Sequence, residues 1–484
     1  MSKILKKTVR GFLALSLLAV VSVSTASAEL KQDNEGVYLI SNASELQEFR
    51  DLVNNGKIAS MDAKLTSDID LKEELWRPIG TDDNNAYKKA TFDGQGHTVF
   101  GLNVTADSVV SKDRVNGGLF GFVDDSVIQD LSVKGKISLD YVDGEKINVY
   151  GGGIVGYLYS TSKVLKCSFS GTVFVSGGGN LNVAGGIAGR GYDCHISDCF
   201  VETDNIRALG GSGGAEAGGI IGNFDGFGDS AYIIKSSLVN VTGEIAASDA
   251  GGIAGKSILP VVDSLVIGKG SVSALGNSPA GGIVGRYSNM AIANVALIKG
   301  CAFQSGLVVD DRVLGVEDGV AAPGSIKIEN SGVVSSELAS KMVKFISLPA
   351  EVTMLKGQRY EVKVQTKPSD VFDGSAGEMK ISCEGEENEK IATVEYSGGN
   401  SFAINALEEG VSSVIVKSLV YGVDFSGAEP VISKDITTFL LARKCRINVT
   451  ASKDSGGSSG GCSAGLGTFA LLALIPIALR GKKR

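Results

Sequence analysis

Proline, histidine and tryptophan are scarce in this 484-residue chain, which has only 8, 2 and 1 of them. With so little proline, the 65 glycines do not indicate a collagen helix or a Pro/Gly-rich linker, and they favour tight turns in a β-rich fold. Positive charge is also in deficit, since the formal net charge is −8. This deficit argues against a nucleic-acid partner, because proteins that bind nucleic acid carry a basic surface.

The chain also lacks the sequence signatures of common catalytic sites. It has neither a G-x-S-x-G nucleophile turn nor an H-E-x-x-H zinc helix. The spacing of Cys194 and Cys199 is not that of a zinc ribbon. We therefore predict no catalytic residue, no metal site and no cofactor. A polysaccharide-cleaving β-helix stays an alternative, because such enzymes collect their residues from several coils.

A five-residue unit, Gly-Gly-aliphatic-x-Gly, is the most regular feature of the sequence. It occurs six times, with spacings of 35, 33, 33, 33 and 30 residues, a period typical of stacked repeats. The repeat glycines are Gly117, Gly118, Gly121, Gly152, Gly153, Gly156, Gly185, Gly186, Gly189, Gly218, Gly219, Gly222, Gly251, Gly252, Gly255, Gly281, Gly282 and Gly285. We expect them to mark corners that need positive φ or close approach between coils.

Aliphatic residues recur at matching offsets after each unit and predict inward columns, with coils stacked about 4.8 Å apart. One predicted column holds Ile128, Val164, Ile196, Ile234, Val262 and Ile292, and another holds Val133, Phe169, Val201, Val239, Ile267 and Leu297. The predicted fold class is all-β. It consists of a parallel, right-handed β-helix (solenoid) with two or three strands per coil, followed by a β-sandwich. A propeller is less suited, because its blades recur at about 40 residues or more.

One residue directly follows each unit, and these residues are the candidate ligand-binding site. They are Phe122, Tyr157, Arg190, Asn223, Lys256 and Arg286. In a stack they should form one row on a turn, aromatic at one end and basic at the other. Such a row could bind an acidic or sugar polymer through stacking and cation contacts. A solvated turn without a ligand is the alternative.

The two ends of the chain predict export and anchoring. Residues 1–28 have a basic start, an apolar stretch and an Ala-Ser-Ala site, which is the pattern of a signal peptide. Residues 451–465 are a Gly/Ser-rich tether, and residues 466–484 are an apolar segment that ends in a basic stop. The apolar segment is short for a permanent span, which needs about 20 residues.

Three further segments complete the predicted domain organisation. Residues 29–110 should form an N-terminal cap and the first turns, with Asn42 as N-cap of a short helix and Glu45 at its third position. Residues 111–343 should form the solenoid. Residues 344–450 alternate as two-faced strands do and predict the sandwich. Cys383 and Cys445 fall on its strands and are candidates for a disulfide.

Three stretches resemble known families. The helix, the Phe-Asp-Gly-x-Gly-His lead-in near residue 92 and the Gly-Gly-Ile-x-Gly units resemble bacterial secreted proteins that carry the GLUG motif. Residues 344–450 resemble bacterial Ig-like domains of group 2. The tail around Cys462 resembles Synergist-CTERM and GlyGly-CTERM sorting signals. That last resemblance implies a diderm bacterium, removal of the tail by an intramembrane protease, and surface attachment through lipid on Cys462.

These features together predict an exported, surface-anchored β-solenoid adhesin or cell-envelope protein with an Ig-like stalk. We expect it to bind glycan or protein ligands and not to be an enzyme. The alternatives are a carbohydrate-active β-helix lyase or hydrolase, and an envelope structural protein without a soluble ligand.

Overall fold

The body of the protein is a parallel β-solenoid of about seven turns. The computed structural model describes residues 30–451 except 58–59, 110–113, 142–146, 178, 228–231, 290–296, 320–325, 343–344, 350, 368–378, 384–385 and 399–400. The predicted signal peptide, Cys462 and the apolar tail therefore lie outside the described residues. Each complete coil adds one strand to each of four sheets, named faces 1 to 4 in chain order. The expectation of two or three strands per coil was wrong, because the repeat unit itself is a corner between two of these sheets.

Faces 1 and 2 flank the repeat unit. Face 1 consists of Arg114–Gly117, Asn148–Gly152, Leu181–Gly185, Gly214–Gly218 and Asp249–Gly251. Face 2 consists of Tyr87–Lys88, Phe120–Asp124, Val155–Tyr159, Ala188–Tyr192, Ile221–Asp225, Ala254–Ser257, Val284–Asn289 and Leu314–Gly319. The chain thus leaves face 1 through two glycines and enters face 2 after one aliphatic residue.

Faces 3 and 4 close the coil. Face 3 consists of Lys31–Gln32, Tyr38–Ile40, Ala63–Leu65, Thr91–Asp93, Val127–Gln129, Lys163–Leu165, His195–Ser197, Ile234–Lys235, Val261–Val262, Leu297–Lys299 and Lys327–Glu329. Face 4 consists of Ile69–Asp70, Thr98–Thr105, Ser132–Tyr141, Ser168–Gly177, Phe200–Gly210, Leu238–Ala247, Leu265–Gly268, Ser271–Ala274, Ala302–Gln304 and Gly332–Val334. Short 3-10 turns occur at Ala106–Ser108 and Val309–Asp311. All pairs in these four sheets are parallel except the first pair of face 3.

The predicted inward columns are confirmed for the first four coils and wrong for the last two. Ile128, Val164, Ile196 and Ile234 are aligned in one buried column. The column then continues through Val261, in place of the predicted Val262, and through Ile298. The predicted Ile292 lies outside the described residues. Val266 and Phe303 likewise replace the predicted Ile267 and Leu297. The turns between the glycine unit and face 3 change length in these coils, which shifts every later position.

A helix, Ala43–Asn54, lies between the second and third strands of face 3. Asn42 accepts a hydrogen bond from the Glu45 N–H at 3.0 Å, so the predicted N-cap is confirmed. The Glu45 carboxylate reaches the N–H of Ser41 rather than that of Asn42. The buried Phe49 packs 6.1 Å from Tyr87 and 6.0 Å from Phe92, ring centre to ring centre. The helix thereby joins the solenoid core.

The C-terminal region is built from two further helices and three small sheets. The helices are Ser336–Met342 and Glu386–Ile391. The sheets are Phe345–Ser347 with Gln365–Lys367; Glu351–Leu355, Val431–Thr450, Gly410–Asp424 and Met379–Cys383; and Arg359–Lys363, Ser401–Ala406 and Ala392–Gly398. The four-stranded and three-stranded sheets share one apolar core, which includes Val362, Phe402 and Ile447.

A long hairpin of this region, Gly410–Asp424 with Val431–Thr450, lies against the outside of face 4. Its Val420 and Val423 join a buried cluster with the outward-facing Leu238 and Leu265 of face 4. Near the hairpin tip, Asn330 of the last coil donates to the Val423 carbonyl at 3.1 Å. The C-terminal region is therefore packed along the side of the solenoid.

Within the described part of the chain, no helix has the length and apolar character needed to cross a bilayer.

Candidate functional site

The repeat unit forms a tight corner between faces 1 and 2. Its third residue points into the core, and Ile154, Ile187 and Ile220 are fully buried. The structure describes all eighteen repeat glycines, and none has φ in the left-handed region. Of the two expected reasons for glycine, positive φ was therefore wrong and close approach holds.

Gly189 illustrates the close approach. A Cβ atom at this position would lie 2.7 Å from the Gly156 carbonyl oxygen and 2.9 Å from the Gly151 nitrogen. Since Gly151 is on face 1 and Gly189 on face 2, the two backbones are packed directly against each other. The corner is therefore re-entrant, and outward side chains of the two faces can meet.

Two rows of side chains line the resulting trough. The face-1 row is Asn116, Tyr150, Val183, Glu216 and Asp249, with one residue from each coil in continuous register. The face-2 row is Phe122, Tyr157, Arg190, Asn223, Lys256 and Arg286, also in continuous register. The predicted single row of six is confirmed, but its position on a turn was wrong. It lies along strands and faces a second row that the sequence analysis missed.

The aromatic end of the trough is closely packed. Phe122 and Tyr157 are only 3% and 6% exposed, and their rings meet edge to face at 5.2 Å. Tyr150 contacts Tyr157 from the opposite row at 5.4 Å. The guanidinium of Arg114 lies over both Phe122 and Tyr157, at 4.9 and 5.1 Å from the ring centres. Burial raises the pKa of Tyr157 to about 12, so this phenol stays neutral.

The basic end is paired with carboxylates of the same chain. Arg190 lies 2.9 Å from Asp225 and donates to the Tyr150 hydroxyl at 2.8 Å. Lys256 lies 3.7 Å from Glu216. Arg286 lies 2.7 Å from Asp249. Each of the three basic side chains in the row therefore has an acidic partner before any ligand arrives.

Glu216 is the most strongly perturbed acid of the trough. It is buried, and it accepts a hydrogen bond from the buried Asn223 amide. Burial raises the pKa of Glu216 to about 7, against the opposing effect of Lys256. The Oδ1 atoms of Asn223 and Asp249 are buried without a hydrogen-bond partner. In this part of the trough the polar side chains are buried and closely packed, so it is not an open groove.

An aromatic platform lies on the outer rim of face 2 and consists of Tyr159, Tyr192 and Phe227. Tyr159 and Tyr192 are register partners on neighbouring coils, and their rings stack at 5.7 Å. Phe227 meets Tyr192 edge to face at 5.5 Å. Phe227 is 67% exposed and Tyr159 is 38% exposed. This platform was not predicted, although the sequence has aromatic residues two positions after Tyr157 and Arg190.

Five cysteines in the described part of the chain are buried free thiols. Cys167 and Cys199 are two of them, and burial raises the pKa of the Cys199 thiol to about 12. Cys445 is also a buried free thiol, so the suggested Cys383–Cys445 disulfide is not formed. The reason is the register, because Val414 is paired with Cys383 on one side and with Cys445 on the other. Two strand spacings of about 4.8 Å exceed the reach of a disulfide, which is about 7 Å between Cα atoms.

Comparison with known proteins yields no family. No family model matches the chain, and no curated protein does. A structure of domains 4 and 5 of the S-layer protein SbsC is 20% identical, with a TM-score of 0.15, over 25% of this chain and 57% of that one. A structure of surface layer protein SbsC, domains 1–6, is 17% identical, with a TM-score of 0.15, over 25% of this chain and 14% of that one. The chain thus covers less than two thirds of either protein, and scores this low do not establish a shared fold.

Proposed function

We propose that the protein is an exported, surface-anchored β-solenoid adhesin or cell-envelope protein that acts by binding rather than by catalysis. Its ligand would be a glycan or a protein, and an intramembrane protease would process its tail at the cell envelope. The signal-peptide pattern of residues 1–28 and the sorting-tail pattern around Cys462 support export and anchoring. Membership of the GLUG-motif proteins, a right-handed coil, a capping role for the first helix and an Ig-like C-terminal module are parts of the same proposal.

One observation carries the binding role. The trough, and the Tyr159 and Tyr192 rings of the aromatic platform, present side chains in continuous register over successive coils, on one side of a long parallel stack. Extended ligands are suited to such surfaces, because each coil offers an equivalent contact at a fixed rise. Exposed rings at the rim add apolar area with polar edges, which is a common feature of binding sites.

Cell fractionation tests the anchoring. We expect the full chain to reside in the envelope with its body open to added protease on intact cells. Deleting residues 452–484 should release the body into the medium, and Cys462→Ala should also weaken retention if lipid is attached there. Retention of the deletion variant in the envelope would contradict anchoring by the tail.

A binding screen tests the ligand class. The full chain would be applied to arrays of polysaccharides and host-matrix proteins. Specific binding to either class supports the proposal. Binding to neither would favour an envelope structural protein without a soluble ligand.

A carbohydrate-active enzyme is the second candidate, and Glu216 is the observation that favours it. A carboxyl with a pKa near 7 beside an ion-paired Asp249 is the kind of pair that general acid–base catalysis uses. Incubation with a polysaccharide panel would reveal product for the natural chain and none for Glu216→Gln. Absence of product from the natural chain would exclude this candidate for the polymers tested.

A further inference from the structure

We propose that the aromatic platform binds a neutral, extended glycan that runs along the solenoid axis, and that the charged trough behind it positions the platform instead of binding the ligand. This inference rests on the proposed binding function and narrows it. It moves the binding surface outward from the row Phe122 to Arg286 to the rim formed by Tyr159, Tyr192 and Phe227.

The charge balance of the trough disfavours an acidic polymer. Arg190, Lys256 and Arg286 each lie within 4 Å of a carboxylate of the chain itself. An acidic sugar could use one of these cations only by separating it from its partner, which would leave a partly buried carboxylate unpaired. The platform also has acidic neighbours. Asp193 accepts a hydrogen bond from the Phe227 N–H at 2.8 Å, and Asp225 is the register partner of Tyr192.

The accessibility of the two surfaces points the same way. The row residues Phe122, Tyr157 and Asn223 are 3%, 6% and 1% exposed, so a ligand could not cover them without opening the trough. The platform rings are the exposed aromatic surface of face 2. The ring area that a ligand can reach is therefore at the rim, where Asp225, the register partner of Tyr192, is paired with Arg190.

The geometry of the platform suits a sugar chain better than a protein surface. Its rings come from successive coils, with centres 5.7 and 5.5 Å apart. Successive coils are about 4.8 Å apart, so an extended chain that runs along the solenoid axis can meet one ring on each of these coils. Among the described residues, the face-2 strands expose no large aliphatic side chain. The surface area of three rings is also far smaller than the roughly 800 Å² that each partner buries in a standard protein interface.

Affinity electrophoresis of the full chain tests the inference. Gels would contain either a neutral β-glucan or an acidic polymer such as polygalacturonate, each at low and at raised salt. We expect the neutral polymer to retard the protein at both salt levels. Tyr192→Ala and Phe227→Ala should each weaken binding by about tenfold, which is the value of one good aromatic contact. Tyr192→Phe should retain most of the binding.

The matched control is Tyr360→Ala, since Tyr360 is an aromatic residue that is 46% exposed on a strand of the C-terminal region. Its binding should equal that of the natural chain, and thermal melting would verify that all variants are folded. Salt-sensitive retardation by the acidic polymer alone would overturn the inference. Binding of the neutral polymer that neither Tyr192→Ala nor Phe227→Ala weakens would also overturn it. Binding to a matrix protein without binding to either polymer would overturn it too, while leaving the proposed function intact.

Discussion

The third glycine of each repeat unit lies where the fold has no room for one added carbon atom. Gly189 packs its backbone against Gly151 and Gly156, and there is no space for a methyl group between them. The same contact recurs at Gly255, where a Cβ atom would lie 2.6 Å from the Ala217 nitrogen. Glycine is therefore required at these positions by the close backbone contact and not by the turn conformation.

Gly189→Ala should destabilise the protein by roughly 2–3 kcal/mol, because the clashing atoms are backbone and cannot rotate away. Urea unfolding followed by circular dichroism would measure the change. Gly427→Ala is the matched control, since Gly427 is exposed and a Cβ atom there would meet only the Glu429 carbonyl oxygen at 3.5 Å. Equal stability of the two variants would refute the close-approach explanation.

Glu216 should make stability depend on pH. Its folded pKa of about 7 exceeds the ordinary 4.5, so between these values the folded state holds a proton that the unfolded state has released. Stability therefore falls as pH rises through this window, by about 3 kcal/mol in total. Lys256, Asn223, Asp225 and Asp249 surround the carboxyl and set the size of the effect.

Glu216→Gln should remove this dependence of stability on pH. The variant should therefore be more stable than the natural chain by an amount that grows from about pH 5 to about pH 8. Melting temperatures across that range would show it. The exposed Glu74→Gln should retain the slope of the natural chain. A slope unchanged in Glu216→Gln would mean that this carboxyl is already ionised at pH 5.

At the scale of strands, the sequence predicted the parallel stack and the inward columns because both follow directly from the period. The predicted columns are wrong after Gly251. The position of Val261 depends on the length of a turn, and the repeat spacing does not reveal that length. The order of side chains in the row was also predictable. The residues that contact this row were not predictable, because the contact of Arg190 with Tyr150 depends on the angle between faces 1 and 2. The one signal of that angle was the small residue before most units, such as Ala184.

Strand register also predicts the state of Cys445. Its thiol should be alkylated in denatured, unreduced protein, because the strand carrying Val414 separates it from Cys383. In the folded protein it should react slowly, since burial raises the pKa of Cys445 to about 11. Peptide mapping by mass spectrometry would measure both reactions, with a reduced sample as control. A disulfide-linked peptide containing both cysteines would show that the register is different.

At the scale of the whole molecule, the solenoid and the C-terminal region form a side-by-side contact. The hairpin covers the outward apolar row of face 4, which includes Phe200, Leu238 and Leu265. At the other end of the stack, Arg446 donates to the Thr66 carbonyl oxygen at 2.8 Å. The two regions should consequently unfold together, since each buries apolar surface of the other.

Removing residues 345–450 should expose this apolar row and cause self-association, because contiguous exposed patches of this kind drive association. Light scattering after size-exclusion chromatography would detect a larger assembly than the full chain forms. Adding Leu238→Ser and Leu265→Ser to the shortened chain should reduce the effect, because both side chains point outward. A shortened chain that matches the full chain in assembly state would argue against the hairpin contact.

The constant spacing of 33 residues from Gly152 to Gly251 gives this protein an adjustable length. Within the stack, each coil contacts the coil before it and the coil after it through nearly the same surfaces. Duplication of one coil in the gene would therefore lengthen the stack by about 4.8 Å and create one new junction, which resembles those that already exist. It would also add one residue to each of the two rows that line the trough. The length of the solenoid can thus evolve in steps of one coil.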